Sequence, residues 1–218
     1  MVKKLSGEAN AVLDEIIAAR RTIRAFAEEA PPRAAVEELI KAGLEAPYAA
    51  LAVAGRADFR RFFVFTRGTP AMAEAGRLIQ HAAGRRLEEA RRVRDRLPAA
   101  GERDFLYMDR LKALAESGLP SLRTAPYFIV VAEYQGVPAA GLQSLAHTLE
   151  NMWLKATALG LAFQLISVTE TMAEDEAFVR LLGLPFGDFV LDGCAVGWPA
   201  ADPPPVRRPE MRAATKWL

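Results

Sequence analysis

The chain has little from which to build a covalent or metal scaffold. Cys194 is its only cysteine, so an intrachain disulfide is excluded, and that agrees with a reducing compartment. It lies in the apolar run VLDGCAVGW (190–198), where it reads as a buried structural thiol rather than a nucleophile. His81 and His147 are the only histidines, and no Cys, Asp or Glu surrounds them at a spacing that zinc uses. Charge of one sign is lacking too. Lys and Arg number 28 against 27 Asp and Glu, so no overall field favours nucleic acid or an anionic membrane, and any anion site must be local. No stretch approaches the roughly 20 apolar residues of a membrane span, and the opening MVKKLSGEANAVLDEII lacks the apolar run of a signal peptide. A cytoplasmic protein is expected. The patterns GxGxxG, GxSxG, HExxH and the Walker loop are absent, so an enzyme with this sequence would leave its chemistry to a bound cofactor.

What is present is apolar and periodic. With 51% apolar residues in 218 positions, one sizeable core can be buried, and a single domain over 1–218 is expected. Val12, Leu13, Ile16 and Ile17 stand at helical spacing over 11–19, with Asn10 placed to cap them. A second helix should start at Pro31-Pro32, bury Val36, Leu39, Ile40 and Leu44, and stop before Pro47. RFFVFT (61–66), YFIVVAEY (127–134), LAFQLISV (161–168) and VLDGCAVGW (190–198) are rich in β-branched and aromatic residues and predict four strands. Between the second and third of these, Leu142, Leu145, Leu149, Met152, Trp153 and Leu159 recur by threes and fours. That stripe predicts a central, largely buried helix over 142–159, which Gly160 can cap.

Two regions differ in character. Residues 77–123 carry six arginines between Arg85 and Arg96, interleaved with Glu88, Glu89 and Asp95. Interleaved acids, and no aromatic residues for base stacking, point to ion pairs on a solvated helix rather than a nucleic-acid surface. The block Phe105-Leu106-Tyr107-Met108 comes next, and the whole region reads as a helical excursion from the core, such as often forms a lid. The end, 200–218, is proline-rich and poor in large apolar residues before Trp217 and Leu218, so it is expected to be extended and either disordered or docked at a distance.

Arg20-Arg21-Thr22-Ile23-Arg24-Ala25-Phe26 resembles the Arg-Arg-Ser-Ile-Arg-x-Phe opening of the nitroreductase family. Further matches come in that family's order: Glu45-Ala46-Pro47 ending a helix, Ala125-Pro126 before an apolar strand, and Ala158-Leu159-Gly160-Leu161 between helix and strand. Leu181-Leu182-Gly183-Leu184-Pro185 then precedes Val196-Gly197-Trp198-Pro199, and Arg207-Arg208-Pro209 resembles the basic C-terminal motif. The likeness covers roughly residues 12–66 and 124–210.

This resemblance implies an α+β, three-layer fold with a central mixed or antiparallel sheet flanked by helices, in a domain-intertwined homodimer. It implies two FMN sites built from both subunits, and electron transfer from NAD(P)H through FMN to an electron-poor acceptor such as a nitroaromatic or quinone. Arg20, Arg24 and Arg207, with the Thr22 hydroxyl, would hold the FMN phosphate, since guanidinium forks suit a dianion, and Arg208 would also bind the cofactor. Arg21 matches a position near the flavin ring or ribityl chain. Ile166, Ser167 and Val168 match the segment whose backbone faces the reactive ring nitrogen. The family's Ser-x-x-Asn-x-Gln-Pro is replaced here by Tyr48-Ala49-Ala50-Leu51-Ala52-Val53-Ala54. That apolar turn either shapes an apolar acceptor pocket or simply packs. Tyr48, Phe105 and Tyr107 are the expected substrate wall. Relatives with other flavin chemistry (reductive dehalogenation, enone reduction, flavin breakdown), or a non-catalytic flavin- or ligand-binding protein on this fold, are the alternative readings.

Overall fold

A computed structural model describes residues 4–48, 50–96, 102–203 and 215–217. Its centre is a sheet of four strands, β1 (Arg60–Thr66), β2 (Tyr127–Tyr134), β3 (Ala162–Leu165) and β4 (Phe189–Gly197), in the order β1-β2-β4-β3. Every pairing is antiparallel, so of the two sheet types expected the antiparallel one is found. The inner strands β2 and β4 are the most apolar, because both of their faces are covered. Side chains alternate across a strand. Ile129, Val131, Cys194 and Val196 therefore meet one layer of helices, while Phe128, Val130, Ala132, Leu191 and Ala195 meet the other.

The first layer is α2 (Arg33–Leu44) and the helix α7 (Gly141–Ala158), which bring Val36, Leu39, Leu145, Leu149, Met152 and Ala156 onto the sheet. The helix ends as expected: Gly160 takes a left-handed φ of +70° and the Leu161 N–H closes on the Ala156 carbonyl at 2.8 Å. The opposite layer is the first part of α4 (Pro70–Arg96), then α6 (Pro120–Thr124), a 3-10 helix at Ser167–Glu174 and α8 (Glu176–Leu181).

Three expectations change in detail. The first helix, α1 (Gly7–Ala19), begins earlier than expected, capped by the Ser6 hydroxyl, which accepts the Ala9 N–H at 3.1 Å; Asn10 is not its cap. It buries nothing: Val12, Leu13 and Ile17 are 50%, 46% and 45% exposed. Periodicity reveals an apolar face but not what covers it. On α2, Leu44 is exposed and Gly43 is buried in its place, because a Cβ at Gly43 would stand 3.0 Å from Met152 Cγ. The third strand is four residues long instead of eight. After Leu165 the chain turns at Ile166 into the 3-10 helix, with the Thr169 N–H donating to the Ile166 carbonyl at 2.9 Å.

Between α2 and β1 lies the short α3 (Ala50–Val53), and between α4 and α6 lies α5 (Glu102–Ser117). Within α4, Met72, Ala75, Leu78, Ile79 and Ala82 belong to the main core. Beyond them Ala83 and Leu87 pack with Leu111 of α5 in a separate small cluster, the two helices running antiparallel. The arginines of α4 are in part what the sequence suggests, with Arg91 and Glu88 paired at 2.6 Å on the solvated side. Arg85 and Arg86 do more, reaching Asp175 at 2.5 Å and Glu174 at 3.6 Å. Asp175 is the buried N-cap of α8. Burial pushes its pKa up, but the Arg85 contact and the Phe178 and Ala177 amides outweigh this and hold it below the usual value. Among the described residues no helix is long and apolar enough to cross a membrane.

Candidate functional site

The Arg20–Arg24 segment is the turn that ends α1. The Arg20 N–H donates to Ile16 at 3.1 Å, and Arg21 turns back to cap the helix, its Nη1 donating to the Ala18 and Arg20 carbonyls at 2.6 and 2.9 Å. Trp153 of α7 holds this turn from below, its Nε1 donating to the Arg21 carbonyl at 3.0 Å. The indole stacks on Phe163 of β3 at 5.1 Å, and the Arg20 guanidinium lies over it at 4.3 Å while pairing with Glu150 at 3.3 Å. The Ile23 N–H then donates to the Phe163 carbonyl at 3.1 Å, which seats the segment on the open edge of β3. Thr22 and Arg24 are exposed there, and Arg24 has no hydrogen-bond or ion-pair partner among the described residues.

Past the turn the chain meets the far end of β4: Phe26 bridges Pro199, and the Ala200 N–H donates to Ala25 at 3.1 Å. Gly197 is required at this crossing, since a Cβ would stand 2.6 Å from Pro126 Cδ and 2.9 Å from the Phe26 ring. The chain beyond Pro199 thus departs beside Arg24. Arg207 and Arg208 lie outside the described residues.

Ile166, Ser167 and Val168 come directly after β3. Ile166 is buried and its N–H is already used by the Gly193 carbonyl at 2.7 Å, so it cannot serve a ligand. The N–H groups of Ser167 and Val168 open the 3-10 helix and have no acceptor among the described residues. Phe163 and Ile166 are three residues apart, about 10 Å of strand, so β3 sets the spacing between the arginine turn and these donors.

Asp192 was missed by the sequence reading, which took VLDGCAVGW as uniformly apolar. Continuing the β3–β4 register past Leu165–Cys194 and Ile166–Gly193 puts Asp192 opposite Ser167. One carboxylate oxygen accepts the Gly193 N–H at 2.7 Å. Burial pushes its pKa up to about 6, opposed by that hydrogen bond and reinforced by the Glu170 carboxylate nearby. The signal was available as an acid in the middle of a buried strand. Arg60 in β1 is a second charge of this kind.

Tyr48 stands elsewhere. Its ring lies 4.3 Å from Phe59 just before β1, and the Pro47 carbonyl ahead of it accepts the Ser144 hydroxyl at 3.1 Å. Ser144 and Trp153 are nine positions apart in α7, about 13 Å along the helix, so one chain keeps Tyr48 well away from the arginine turn. Tyr107 is exposed on α5, which packs on α4 at the opposite face of the sheet from α2 and α7. The Phe105 side chain lies outside the described residues. One chain therefore unites the turn at 20–24 with the 166–168 segment but does not bring Tyr48 to the turn.

The Nitroreductase family profile matches residues 17–198. The chain belongs to the nitroreductase family. Solved structures agree on the fold across nearly the whole nitroreductase-like chain. A nitroreductase with bound FMN from Bacteroides fragilis NCTC 9343 is 22% identical with a TM-score of 0.68, covering 94% of this chain and 97% of its own. An oxidized iodotyrosine deiodinase bound to FMN and 3-iodo-L-tyrosine is 19% identical with a TM-score of 0.67, covering 91% and 96%. A nitroreductase with bound FMN from Desulfitobacterium hafniense DCB-2 is 20% identical with a TM-score of 0.65, covering 94% and 97%. A search of curated proteins finds no match.

Proposed function

We propose that this nitroreductase-family protein is an FMN-dependent oxidoreductase. It takes electrons from NAD(P)H and passes them to an electron-poor acceptor such as a nitroaromatic or quinone, in a cytoplasmic homodimer. The observation that carries this reading is β3. Its edge holds the exposed Thr22 and Arg24 at one end and the open Ser167 and Val168 donors at the other, a spacing that suits a phosphate at one end and a ring at the other. The residues present fit FMN. Arg20, Arg24 and Arg207 would hold the phosphate with Thr22, Arg208 would also contact the cofactor, Arg21 would line the way to the ring, and the Ser167 and Val168 amides would donate to the ring. Arg20 does so while sharing its charge with Glu150. FMN supplies the hydride and electron transfer when bound; the protein positions the reactants and excludes water.

A second copy accounts for what one chain leaves open. Val12, Leu13 and Ile17 of α1 and Leu142 of α7 are large apolar side chains facing solvent, and such surface is what a dimer covers. The dimer also supplies Tyr48 to a site that its own chain cannot reach. The deiodinase match supports a second reading with the same cofactor, reductive dehalogenation of a halogenated aromatic acceptor.

The test is to denature the purified protein and identify any released chromophore. FMN, recognised by its flavin absorbance and its mass, is the expected result, and a colourless protein that takes up no FMN overturns the reading. Light scattering on the same sample should return twice the 23.8 kDa chain mass.

A further inference from the structure

Arg60 opens β1, and its side chain is 1% exposed beside Glu133 of β2 at 2%. Its Nε donates to the Glu133 carboxylate at 3.1 Å. Nη1 donates to the carbonyls of Gly43 and Ala46 at 3.0 and 3.1 Å, and Nη2 to the Pro47 carbonyl at 3.3 Å and the Ser144 hydroxyl oxygen at 2.9 Å. A guanidinium has five N–H groups, and here every one has an acceptor. Ser144 completes the set by donating its own proton to the Pro47 carbonyl.

Three of the five acceptors are main-chain carbonyls of one turn, the turn that ends α2 and leads to Tyr48. A well-packed apolar pair generally stabilises a core as well as a buried ion pair does. What the charge adds is the position of that turn. Two neighbouring contacts hold the residues beyond the turn: the Tyr48 ring rests on Phe59, and the Ala52 carbonyl sits so close to Gly136 that a Cβ there would be 1.7 Å away. Yet Tyr48 is 49% exposed and Leu51 82% exposed. The backbone is fixed at three places while its two largest apolar side chains face outward. In residues 48–54 the Tyr48 hydroxyl is the only polar side-chain group.

We propose that Arg60, with Glu133 and Ser144, acts as a positioning group that sets Tyr48 and Leu51 as one wall of the acceptor site. The wall selects flat apolar acceptors, naphthoquinones rather than charged or strongly hydrated ones. This rests on the FMN-dependent reading above, with the wall serving the second copy's flavin. Ser144 is the place to test it, because its removal takes one bond from Arg60 and one from Pro47 and leaves the buried ion pair intact.

In the FMN-loaded dimer, Ser144→Ala should keep its flavin content and kcat and raise KM for a naphthoquinone roughly three- to tenfold, about the worth of one of the two hydrogen bonds lost. KM for ferricyanide, a hydrophilic acceptor, should stay unchanged. Tyr48→Ala should raise the naphthoquinone KM as well. In a Tyr48→Ala, Leu51→Ala background Ser144→Ala should add nothing, since it acts through those two side chains. A flavin-loaded, active parent whose Ser144→Ala variant keeps its naphthoquinone KM, or raises it equally in both backgrounds, overturns the inference alone. A parent that binds no flavin overturns the function and the inference with it.

Discussion

Arg24 and Arg60 are both arginines beside an edge of the same sheet, and the fold treats them oppositely. Arg60 has all five N–H groups taken up inside its own chain, with almost no exposure. Arg24 is exposed and has no partner among the described residues. The difference shows how a charge can be assigned to structure or to function. A guanidinium whose donors are all used by carbonyls and a carboxylate holds the chain in place, whereas one whose donors are all unused is open to a ligand. Arg20 stands between them, half-buried on Trp153 and shared with Glu150.

Substitutions sharpen that contrast. Arg60→Ala should have the largest effect, because it leaves the Glu133 carboxylate buried without its counter-charge. A loss of roughly 3–5 kcal/mol is expected in urea unfolding, and a loss below about 1 kcal/mol, the range of a surface pair, would remove Arg60 from the structural class. Arg24→Ala should leave unfolding nearly unchanged and weaken FMN by roughly 1.5–3 kcal/mol, about ten- to hundredfold. Riboflavin, which lacks the phosphate, is the control: its binding should be the same in parent and variant. Arg92→Ala, on the helical excursion, should alter neither. Equal affinity of the unmutated protein for FMN and riboflavin would show that no arginine here serves a phosphate.

Asp192 gives the effect that depends on pH. Its pKa is raised from 3.8 to about 6 in the folded protein, so the folded state holds the proton more tightly than the unfolded chain does. Stability is therefore greatest below about pH 4, falls as pH rises towards 6, and is flat above that. Asp192→Asn removes the cost of the buried charge and should stabilise the protein at pH 7 by on the order of 2 kcal/mol. The gain should vanish near pH 4, and urea unfolding at the two pH values checks it. A gain that does not change with pH would place the benefit in packing instead of in ionisation.

Much of this was legible in the residues. All four strands were placed, β2 to the residue, because both-sided burial selects β-branched and aromatic side chains without interruption. The α7 stripe and its glycine cap were equally plain. The third strand was overextended since Ile166 and Val168 suit a strand as well as they suit the turn that replaces it, and propensity alone cannot separate the two. The apolar face of α1 was legible from its spacing, but its start and its cap, Ser6 rather than Asn10, were not. For the candidate site, the arginine turn and the 166–168 segment were named from the family resemblance, but that β3 joins them at a spacing of about 10 Å could not be read from positions more than a hundred residues apart.

The sequence by itself determined the family, the element types, and the presence of a local cationic turn in a chain of balanced charge, because these depend on periodicity and on short runs of residues. Only the tertiary structure decided which charges are already satisfied. Arg60 and Asp192 look like ordinary strand interruptions until their partners, Glu133, Ser144 and the Gly43–Pro47 carbonyls for one and the Gly193 amide and Glu170 for the other, are brought beside them. The physical reason is that the state of a buried charge depends on the atoms around it: the folded chain brings distant acceptors to Arg60 and a second carboxylate, Glu170, towards Asp192, whose own hydrogen bond is to the next residue.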